Sequence, residues 1–414
     1  MTWESQGRNA GRDHSDSDMN GRSDTRKPVC AVAKHKNAKK AVWDALSRIE
    51  IPDLNGMRVL LKPNIGRKVH KHTGINTNPE VTEAVFEFLS ARFDAGYYIG
   101  DSPVTGVKSK EAFAASGHGG FLERQDIEYL DLDSRRPTRV PIADGRILEE
   151  IKVTGFIHDF DYVISIPVLK MHMHTGASLG YKNMKGLLYR REKIRFHQLH
   201  APEAKQTYGC RELDLAIADM ARVLEPDLVV CDATYAMEGM GPSAGDRRQL
   251  DTVIASTDCL AADIVALAVV KLDIDHVPHL RLIAEQTEGV TSVEDIRTIP
   301  DDIEPFKTDF AVPPTEIVIQ NLMVNLLDEG SCSACQSSVY LFLKNNEALI
   351  GEYQGEHGHF NIAIGSDIEE VPVDTFVIGN CAACHKERGT FLMGCPPDQT
   401  SIMEMVRKKL SDKA

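Results

Sequence analysis

The stretch from Asp161 to Tyr189 constrains the fold most, because an apolar segment in it changes abruptly into a polar, glycine-rich one. Residues 162–169 form a nearly continuous apolar run rich in β-branched side chains, which is typical of a strand buried on both faces. Pro167 has no backbone N–H, so strand pairing is expected to end there. The polar side chains that follow are Lys170, His172, His174, Lys182, Asn183 and Lys185.

Strand and helix patterns alternate along most of the chain. Strands are predicted at 28–35, 57–66, 97–103 and 251–256, and the helix after 57–66 has Asn78 as its predicted N-cap. This alternation predicts an α/β fold with a doubly wound, mostly parallel sheet, followed by a smaller C-terminal α/β module. The predicted division is a disordered tail at 1–28, a core domain at 29–300, a linker at 301–315 and a cysteine-rich module at 316–414.

Composition excludes several classes of function. The chain has 414 residues and a formal net charge of −14, which argues against nucleic acid or an anionic membrane as a partner. Residues 1–28 contain no apolar core of a signal peptide, and no apolar run is long enough to span a bilayer, so a cytoplasmic protein is expected. Neither a complete dinucleotide fingerprint nor a P-loop is present.

Polar residues follow the predicted strands at the points where they end. In doubly wound sheets ligands bind beyond the carboxyl ends of the strands, so five strand ends, including the one at Ser256, are expected to converge on one polar edge. The alternative for each Asp or Ser is that it caps the next helix. The candidate catalytic residues are Lys62, Lys170, His172, His174 and Lys185. The candidate substrate-binding residues are Asn64, Asp101, Ser102, Asn183, Asp232 and Asp258.

His172 and His174 lie two residues apart, so in extended backbone their side chains point to the same side. A zinc or iron ion between them would need a third protein ligand, such as Asp232 or Asp258. Without a metal, the pair is expected to form hydrogen bonds or to act in acid–base catalysis.

A basic run follows these histidines and contains a single acidic residue, Glu192. In so acidic a protein such a run predicts a phosphate or carboxylate site, and the alternative is a solvated helix face. Its basic residues are Lys182, Lys185, Arg190, Arg191, Lys193 and Arg195.

Asp263 lies inside the apolar segment 259–271, where a carboxylate requires a partner or a raised pKa. Lys62 is a candidate partner.

Five of the nine cysteines fall in the last quarter of the chain. In a cytoplasmic protein they are better explained as metal or redox ligands than as disulfides. Two Cys-x-x-Cys pairs and a Cys-Pro fit a [4Fe-4S] cluster, whereas a zinc ribbon would use the two pairs and leave Cys395 over. These five are Cys332, Cys335, Cys381, Cys384 and Cys395. Buried, inert thiols are expected at Cys30, Cys231 and Cys259.

Several longer motifs occur together: VLLKPN, SIPVLKMHMHTGASLGYKNMKG, GMGPSAGDRRQLDTVIASTDCLAADIVA and, near the end, CSAC, GNC and GTFLMGCPP. In combination they resemble the family called domain of unknown function 362, which is often found with iron–sulfur modules. The resemblance covers roughly residues 29–275 and 316–410. It implies one [4Fe-4S] cluster held by Cys332, Cys335, Cys381 and Cys395, with Cys384 as the supernumerary thiol or alternative ligand.

Three functions fit these observations. The favoured one is an iron–sulfur oxidoreductase that binds a small anionic substrate at the carboxyl edge of the sheet and receives electrons from a donor protein such as a ferredoxin. The second is an isomerase or lyase assisted by a metal, and the third is an electron carrier without a substrate. The oligomeric state stays open, a homo-oligomer included.

Overall fold

The computed structural model describes residues 27–313 and 324–411. The tail predicted at 1–28, apart from its last two residues, lies outside the described residues. So do the end of the linker predicted at 301–315 and the start of the module predicted at 316–414.

The strands belong to a ten-stranded sheet, a four-stranded sheet and a two-stranded sheet. In chain order they are β1 (Val29–Lys34), β2 (Arg58–Pro63), β3 (Gly96–Ile99), β4 (Glu128–Tyr129), β5 (Thr138–Pro141), β6 (Glu150–Val153), β7 (Tyr162–Ile166), β8 (Val168–His172), β9 (Gly176–Ser178), β10 (Leu228–Glu238), β11 (Asp246–Ser256), β12 (Arg297–Ile299), β13 (Val324–Asp328), β14 (Phe360–Ile364), β15 (Thr375–Ile378) and β16 (Gly389–Leu392).

The α-helices lie between these strands. They are α1 (Ala38–Leu46), α2 (Pro79–Ser90), α3 (Ser109–Ala115), α4 (Gly180–Asn183), α5 (Glu192–His197), α6 (Pro202–Tyr208), α7 (Glu212–Ala221), α8 (Cys259–Val269), α9 (Pro278–Thr287), α10 (Ser333–Asn345), α11 (Glu347–His357) and α12 (Gln399–Ser411).

The large sheet has the strand order β12-β1-β11-β10-β7-β2-β3-β4, with β8 and β9 attached beside β10. Most neighbouring strands in it are parallel, as predicted. Alternate residues of each strand face opposite sides. In β2, Val59 and Leu61 pack against α1, α2 and α3 on one side, whereas Leu60 packs against α7 on the other. The sheet is therefore covered by helices on both faces.

The helix after β2 begins where the sequence predicts. Asn78 is the N-cap of α2, its side chain accepts the Glu80 N–H, and Pro79 occupies the first turn. Pro79 tolerates this position because the first N–H groups of a helix have no partner within the helix.

The apolar run at 162–169 was expected to be one strand whose pairing ends at Pro167, and this expectation is wrong. It forms β7 before the proline and β8 after it, and both pair with β10. Pro167 cannot donate to the ladder, but its carbonyl accepts the Asp232 N–H at 2.8 Å, so pairing resumes beyond it. His172 consequently lies in a strand rather than in a loop.

The strand predicted at 251–256 begins earlier, at Asp246, and runs antiparallel to both β1 and β10. Residues between β10 and β11 thus form the turn of a long hairpin. Gly241 in this turn accepts the Met173 N–H at 3.0 Å, and a Cβ on Gly241 would lie 1.8 Å from the Met171 carbonyl oxygen. The hairpin turn therefore packs directly on the end of β8.

The C-terminal part contains a four-stranded parallel sheet in the order β13-β14-β15-β16. Its own apolar core includes Phe342, Phe360 and Phe376. One cysteine pair lies at the start of a helix, α10, and the other follows a strand, β15. No helix in the described part of the chain is long and apolar enough to cross a membrane.

Candidate functional site

A buried ion pair lies at the carboxyl ends of β2 and β3. Lys62 is fully buried and donates to the Asp101 carboxylate at 2.7 Å and to Asn183 Oδ1 at 3.1 Å. Burial lowers the pKa of Lys62, and Asp101 opposes that effect. The second Asp101 oxygen accepts the Ile65 N–H at 2.7 Å. Because each of these groups already has protein partners, the pair fixes the geometry of the site.

Asn183 connects this ion pair to the neighbouring strand. Its amide donates to the Lys62 carbonyl and to Ser165 Oγ, both at 3.0 Å. Its Oδ1 also accepts from Asn64 at 3.2 Å. Gly186 closes the same region, where an added Cβ would lie 2.0 Å from Asp101 Oδ1. The glycine is therefore required for the chain to approach the ion pair.

Ser102 bridges two charged side chains. Its hydroxyl donates to Asp133 and accepts from Lys193. Lys193 lies 4.0 Å from the Asp133 carboxylate, and burial lowers the pKa of this lysine. Of the predicted basic run, Lys193 thus faces the site, whereas Arg190 and Arg191 are exposed and Arg195 pairs with Glu192 at 2.9 Å.

Lys170 lies on β8 and is held by oxygen atoms that carry no charge. It donates to Asn64 Oδ1 at 2.6 Å and to the Ile75 carbonyl at 2.7 Å. Burial, followed by repulsion from Arg67, lowers its pKa to about 7.

Lys182, which is buried, and Lys185, which is part-buried, form a second cationic group. Lys182 donates to Thr175 Oγ1, and Lys185 lies 3.1 Å from His197 Nε2. Burial lowers the pKa of Lys185 to about 7, with a contribution from Lys193. The pKa of Lys182 is well below its ordinary range, first because of burial and then because of Lys185.

The two predicted histidines lie beside these lysines, with ring centroids 5.8 Å apart. His172 Nδ1 accepts the backbone N–H of His174 at 3.2 Å, so the proton of the neutral His172 ring is on Nε2. Burial and Lys182 hold the pKa of His172 well below its usual value. His174 Nδ1 lies 3.0 Å from Arg211.

Neither proposed third metal ligand joins the two histidines. Asp232 accepts from Asn78 N at 2.7 Å and from the Thr234 hydroxyl at 2.6 Å. Asp258 caps α8 by accepting the Ala261 N–H at 2.8 Å. Within residues 27–313 and 324–411, no group of three or more His, Cys, Asp or Glu side chains is placed to hold a metal ion.

The expectation that five strand ends converge is wrong for the strand that ends at Ser256. That strand is antiparallel to its neighbours, so the chain leaves Ser256 toward the opposite edge, where Asp258 begins α8. Ser256 donates to the Val29 carbonyl at 2.7 Å. The helix-capping alternative applies to Asp258.

Lys62 is not the partner of Asp263. The Asp263 carboxylate accepts the N–H groups of Gly180 at 2.7 Å and Tyr181 at 3.2 Å, at the start of α4. Burial raises its pKa to about 7, and the two N–H groups oppose that rise. The predicted raised pKa is confirmed, but the stabilising groups are backbone amides.

The cysteines of the C-terminal part are all unpaired, as are the other four. The Cys335 thiol interacts with Cys332, Cys381 and Cys395, and its pKa is raised mainly by Cys332 and by burial. The pKa of Cys381 is raised by burial and then by Cys332 and Cys395. Cys384 is exposed. The four interacting thiols are therefore those that the resemblance implies as ligands.

This group of thiols lies against the segment that carries the basic residues. Gln198 donates to Cys395 Sγ at 3.2 Å, one residue after His197. Ser337 on α10 contacts Met173 Sδ at 3.8 Å, between the two histidines. The C-terminal part thus borders the cationic site.

Sequence reasoning missed three members of the site: Arg67, His197 and Arg211. Arg67 acts on Lys170, and the other two contact Lys185 and His174. His197 lies two residues beyond the basic run, and its position was the only signal that could have identified it. Arg67 directly follows the strand predicted at 57–66, which was a signal that could have identified it, whereas Arg211 follows no predicted strand.

The chain belongs to the family described as a domain of unknown function (DUF362), whose profile matches residues 59–268. A thylakoid-associated protein of Synechocystis sp. is 29% identical over 225 residues, which are 54% of this chain and 66% of that protein. The chain thus matches just under two thirds of this relative.

Two solved structures share part of the shape. The lactate racemase apoprotein from Thermoanaerobacterium thermosaccharolyticum aligns with a TM-score of 0.38 and 12% identity, over 59% of this chain and 57% of that one. A Thermotoga maritima protein aligns with a TM-score of 0.36 and 14% identity, over 62% and 60%.

Proposed function

We propose that the protein is an iron–sulfur oxidoreductase that acts on a small anionic substrate bound among Lys170, Lys182 and Lys185. The observation that carries this proposal is the contact of Gln198 with Cys395, because it joins the thiol group to the cationic site. Electron transfer requires such proximity between a redox centre and the substrate.

The thiols fit a [4Fe-4S] cluster in chemical kind, since such clusters are held by cysteine thiolates. Cys332, Cys335, Cys381 and Cys395 would hold it, and their mutual effects on pKa indicate that they are neighbours. They are not already placed as a metal site, so ligation requires these side chains to draw together. When bound, the cluster would supply or accept single electrons.

The residues of the cationic site have separate roles in this proposal. Lys170, Lys182 and Lys185 neutralise the substrate, and the Lys62–Asp101 pair positions the strand ends around it. His172 can exchange a proton only through Nε2, because Nδ1 accepts a backbone N–H. Electrons would come from a donor protein such as a ferredoxin.

We further propose that the protein lies in a reducing compartment, the cytoplasm, because all nine cysteines are unpaired. The Synechocystis relative is described as thylakoid-associated. Cell fractionation followed by immunodetection would decide between cytoplasm and membrane surface.

The test is the metal and acid-labile sulfide content of protein purified without oxygen, together with its EPR spectrum. We expect about four iron and four sulfide per chain and a signal that appears on reduction. Cys395→Ala should lose most of the iron, whereas the matched control Cys384→Ala should retain it. Zinc without sulfide, or iron that survives Cys395→Ala, would contradict the proposal.

A further inference from the structure

Two buried ammonium groups and one part-buried one, in the described part of the chain, have no carboxylate in direct contact. Among the described residues, Lys170, Lys182 and Lys185 form no ion pair, and their hydrogen-bonding partners are two amide or hydroxyl oxygens, one carbonyl and one imidazole. Lys62 shows the contrasting arrangement, because its ammonium group lies 2.7 Å from the Asp101 carboxylate. Asp101 attracts Lys170 and Asp214 attracts Lys182, but neither carboxylate forms an ion pair with these lysines, so the site concentrates positive charge that no carboxylate in direct contact neutralises.

The surrounding groups increase this excess of positive charge. Lys182 is repelled by both Lys185 and Lys170, and Lys185 is repelled by Lys193. Arg67 acts on Lys170, and Arg211 lies at the His174 ring. Burying like charges is unfavourable unless a ligand of opposite charge compensates them.

We propose that the site binds a ligand with at least two negative charges on one group or on two adjacent groups, such as a phosphate ester or a dicarboxylate. This inference rests on the proposed function, since it concerns the substrate of the same site. A single carboxylate would compensate only one of the three ammonium charges, whereas a dianion would compensate two. Lys182 and Lys185 lie three residues apart on one segment, so together they can contact one dianionic group.

The test is isothermal titration calorimetry of the full chain at pH 6.5 with glycerol 2-phosphate, malonate and acetate as probes. A phosphate monoester, with a second pKa of about 6, and malonate are mostly dianions at this pH, whereas acetate is a monoanion. We expect glycerol 2-phosphate or malonate to bind at least about tenfold more tightly than acetate, which corresponds to about 1.4 kcal/mol. A preference for glycerol 2-phosphate indicates a phosphorylated substrate, and a preference for malonate indicates a dicarboxylic one. Equal affinity for acetate and both dianions, or no binding at all, would overturn the inference.

Two variants make the test specific to these lysines. Lys185→Gln should weaken dianion binding about tenfold or more, whereas Arg191→Gln, an exposed change in the same segment, should leave it unchanged. Lys185→Gln should also raise the melting temperature of the ligand-free protein, because it removes a part-buried, uncompensated charge. Wild-type affinity for dianions in Lys185→Gln would overturn the inference.

Dianion binding should also weaken as the pH rises above about 7, where Lys170 and Lys185 lose their protons. The groups that face Lys185 are Lys182, Lys193, His172, His197 and His279, and those that face Lys170 are Arg67, Lys62, Lys182 and Asp101. Affinity for malonate, which stays a dianion over this range, that is constant from pH 7 to pH 9 would contradict the inference.

Cys395→Ala separates this inference from the proposed function. Dianion binding that survives in this iron-depleted variant supports the inference by itself. Iron and sulfide at full content without dianion binding would overturn the inference and leave the iron–sulfur proposal in place.

Discussion

The absence of a side chain at Gly186 allows the buried ion pair between Lys62 and Asp101 to form. Gly186 lies against Lys62 and Asp101, where a Cβ would lie 2.4 Å from Lys62 Nζ and even closer to the carboxylate. A buried ion pair that is pushed apart leaves two charges without compensation.

Gly186→Ala should therefore lower the free energy of unfolding by about 3 kcal/mol or more. Gly355→Ala is the matched control, since Gly355 lies inside α11 with no atom within 4 Å of the added Cβ. That change should stabilise the protein by about 0.5–1 kcal/mol. Urea denaturation of both variants measures the difference, and similar stabilities for the two would refute this account.

Asp263 should make stability depend on pH. Its pKa is raised to about 7 in the folded protein, whereas an unfolded Asp titrates near pH 4. Between these values the folded state binds more protons, so the free energy of unfolding falls as pH rises, by at most about 1.4 kcal/mol per pH unit. Asp263→Asn should flatten this fall between pH 4 and pH 7, as measured by denaturation at a series of pH values.

The matched control for this titration is Asp275→Asn, an exposed change that should keep the wild-type slope. Asp232, whose pKa burial raises to about 6, contributes in the same direction and is still present in both variants. A slope unchanged by Asp263→Asn would show that Asp263 titrates normally.

The sequence predicts that Asp263 is buried, because apolar residues surround it in the chain. It does not predict the partner, because the Gly180 and Tyr181 amides lie on a different element and are backbone groups that every residue carries. Lys62 seemed suitable only by charge. Its actual partner, Asp101, follows the neighbouring strand.

At the scale of elements, the caps of the first two helices offer a direct comparison. Asn78 caps α2 while its own N–H donates to Asp232 and its amide to Thr234, all within the core. Asn37 caps α1 at the surface by accepting the Lys40 N–H at 3.0 Å. The same residue type thus performs the same task in two environments.

Asn78→Ala should cost about 2 kcal/mol of stability or more, and Asn37→Ala about 1 kcal/mol. The larger loss follows because removal of the Asn78 side chain also leaves the buried Thr234 without one of its hydrogen bonds. Thermal denaturation of the two variants gives the comparison. Equal losses would mean that the buried network adds nothing to the cap.

Local patterns predicted most elements because strand and helix periodicities are properties of short segments. The direction of β11 was not predictable in this way, since a strand has the same pattern whether its partner is parallel or antiparallel. Asp258 was assigned to the wrong edge for this reason. The continuation of β8 beyond Pro167 also depends on a distant partner, β10.

At the scale of the whole molecule, net charge and local charge have opposite signs. The chain carries −14 overall, yet the site gathers lysines, arginines and histidines from the sheet edge and from the segment after α4. The basic run predicted an anion site, and its inward-facing lysines lie in the cationic group. Which residues of the basic run face the site depends on the fold, so the inward-facing lysines could not be predicted from the sequence.

A further surface contact, besides those of Gln198 and Ser337, joins the C-terminal part to the core. Lys344 on α10 donates to the Ala244 carbonyl at 2.5 Å and to the Asp246 carboxylate at 3.1 Å. Lys344→Glu should repel Asp246 and increase hydrogen exchange in residues 240–246, with little change in melting temperature because exposed pairs contribute about 0–1 kcal/mol. Lys408→Glu, an exposed change on α12, should leave that exchange unaltered.

Exchange in residues 240–246 that is equal in the two variants would show that Lys344 does not restrain the hairpin. The measurement is hydrogen–deuterium exchange followed by mass spectrometry of peptides from that turn.

The β10–β11 hairpin reaches from one part of the molecule to the other. On one side Lys344 donates a hydrogen bond to the turn of the hairpin. On the other side Gly241 in this turn contacts the backbone of Met171 and Met173. The two methionines flank His172, so α10, the hairpin turn and the strand that carries this histidine form one continuous line of contacts. The hairpin therefore joins the cysteine-bearing part of the chain to the edge of the cationic site.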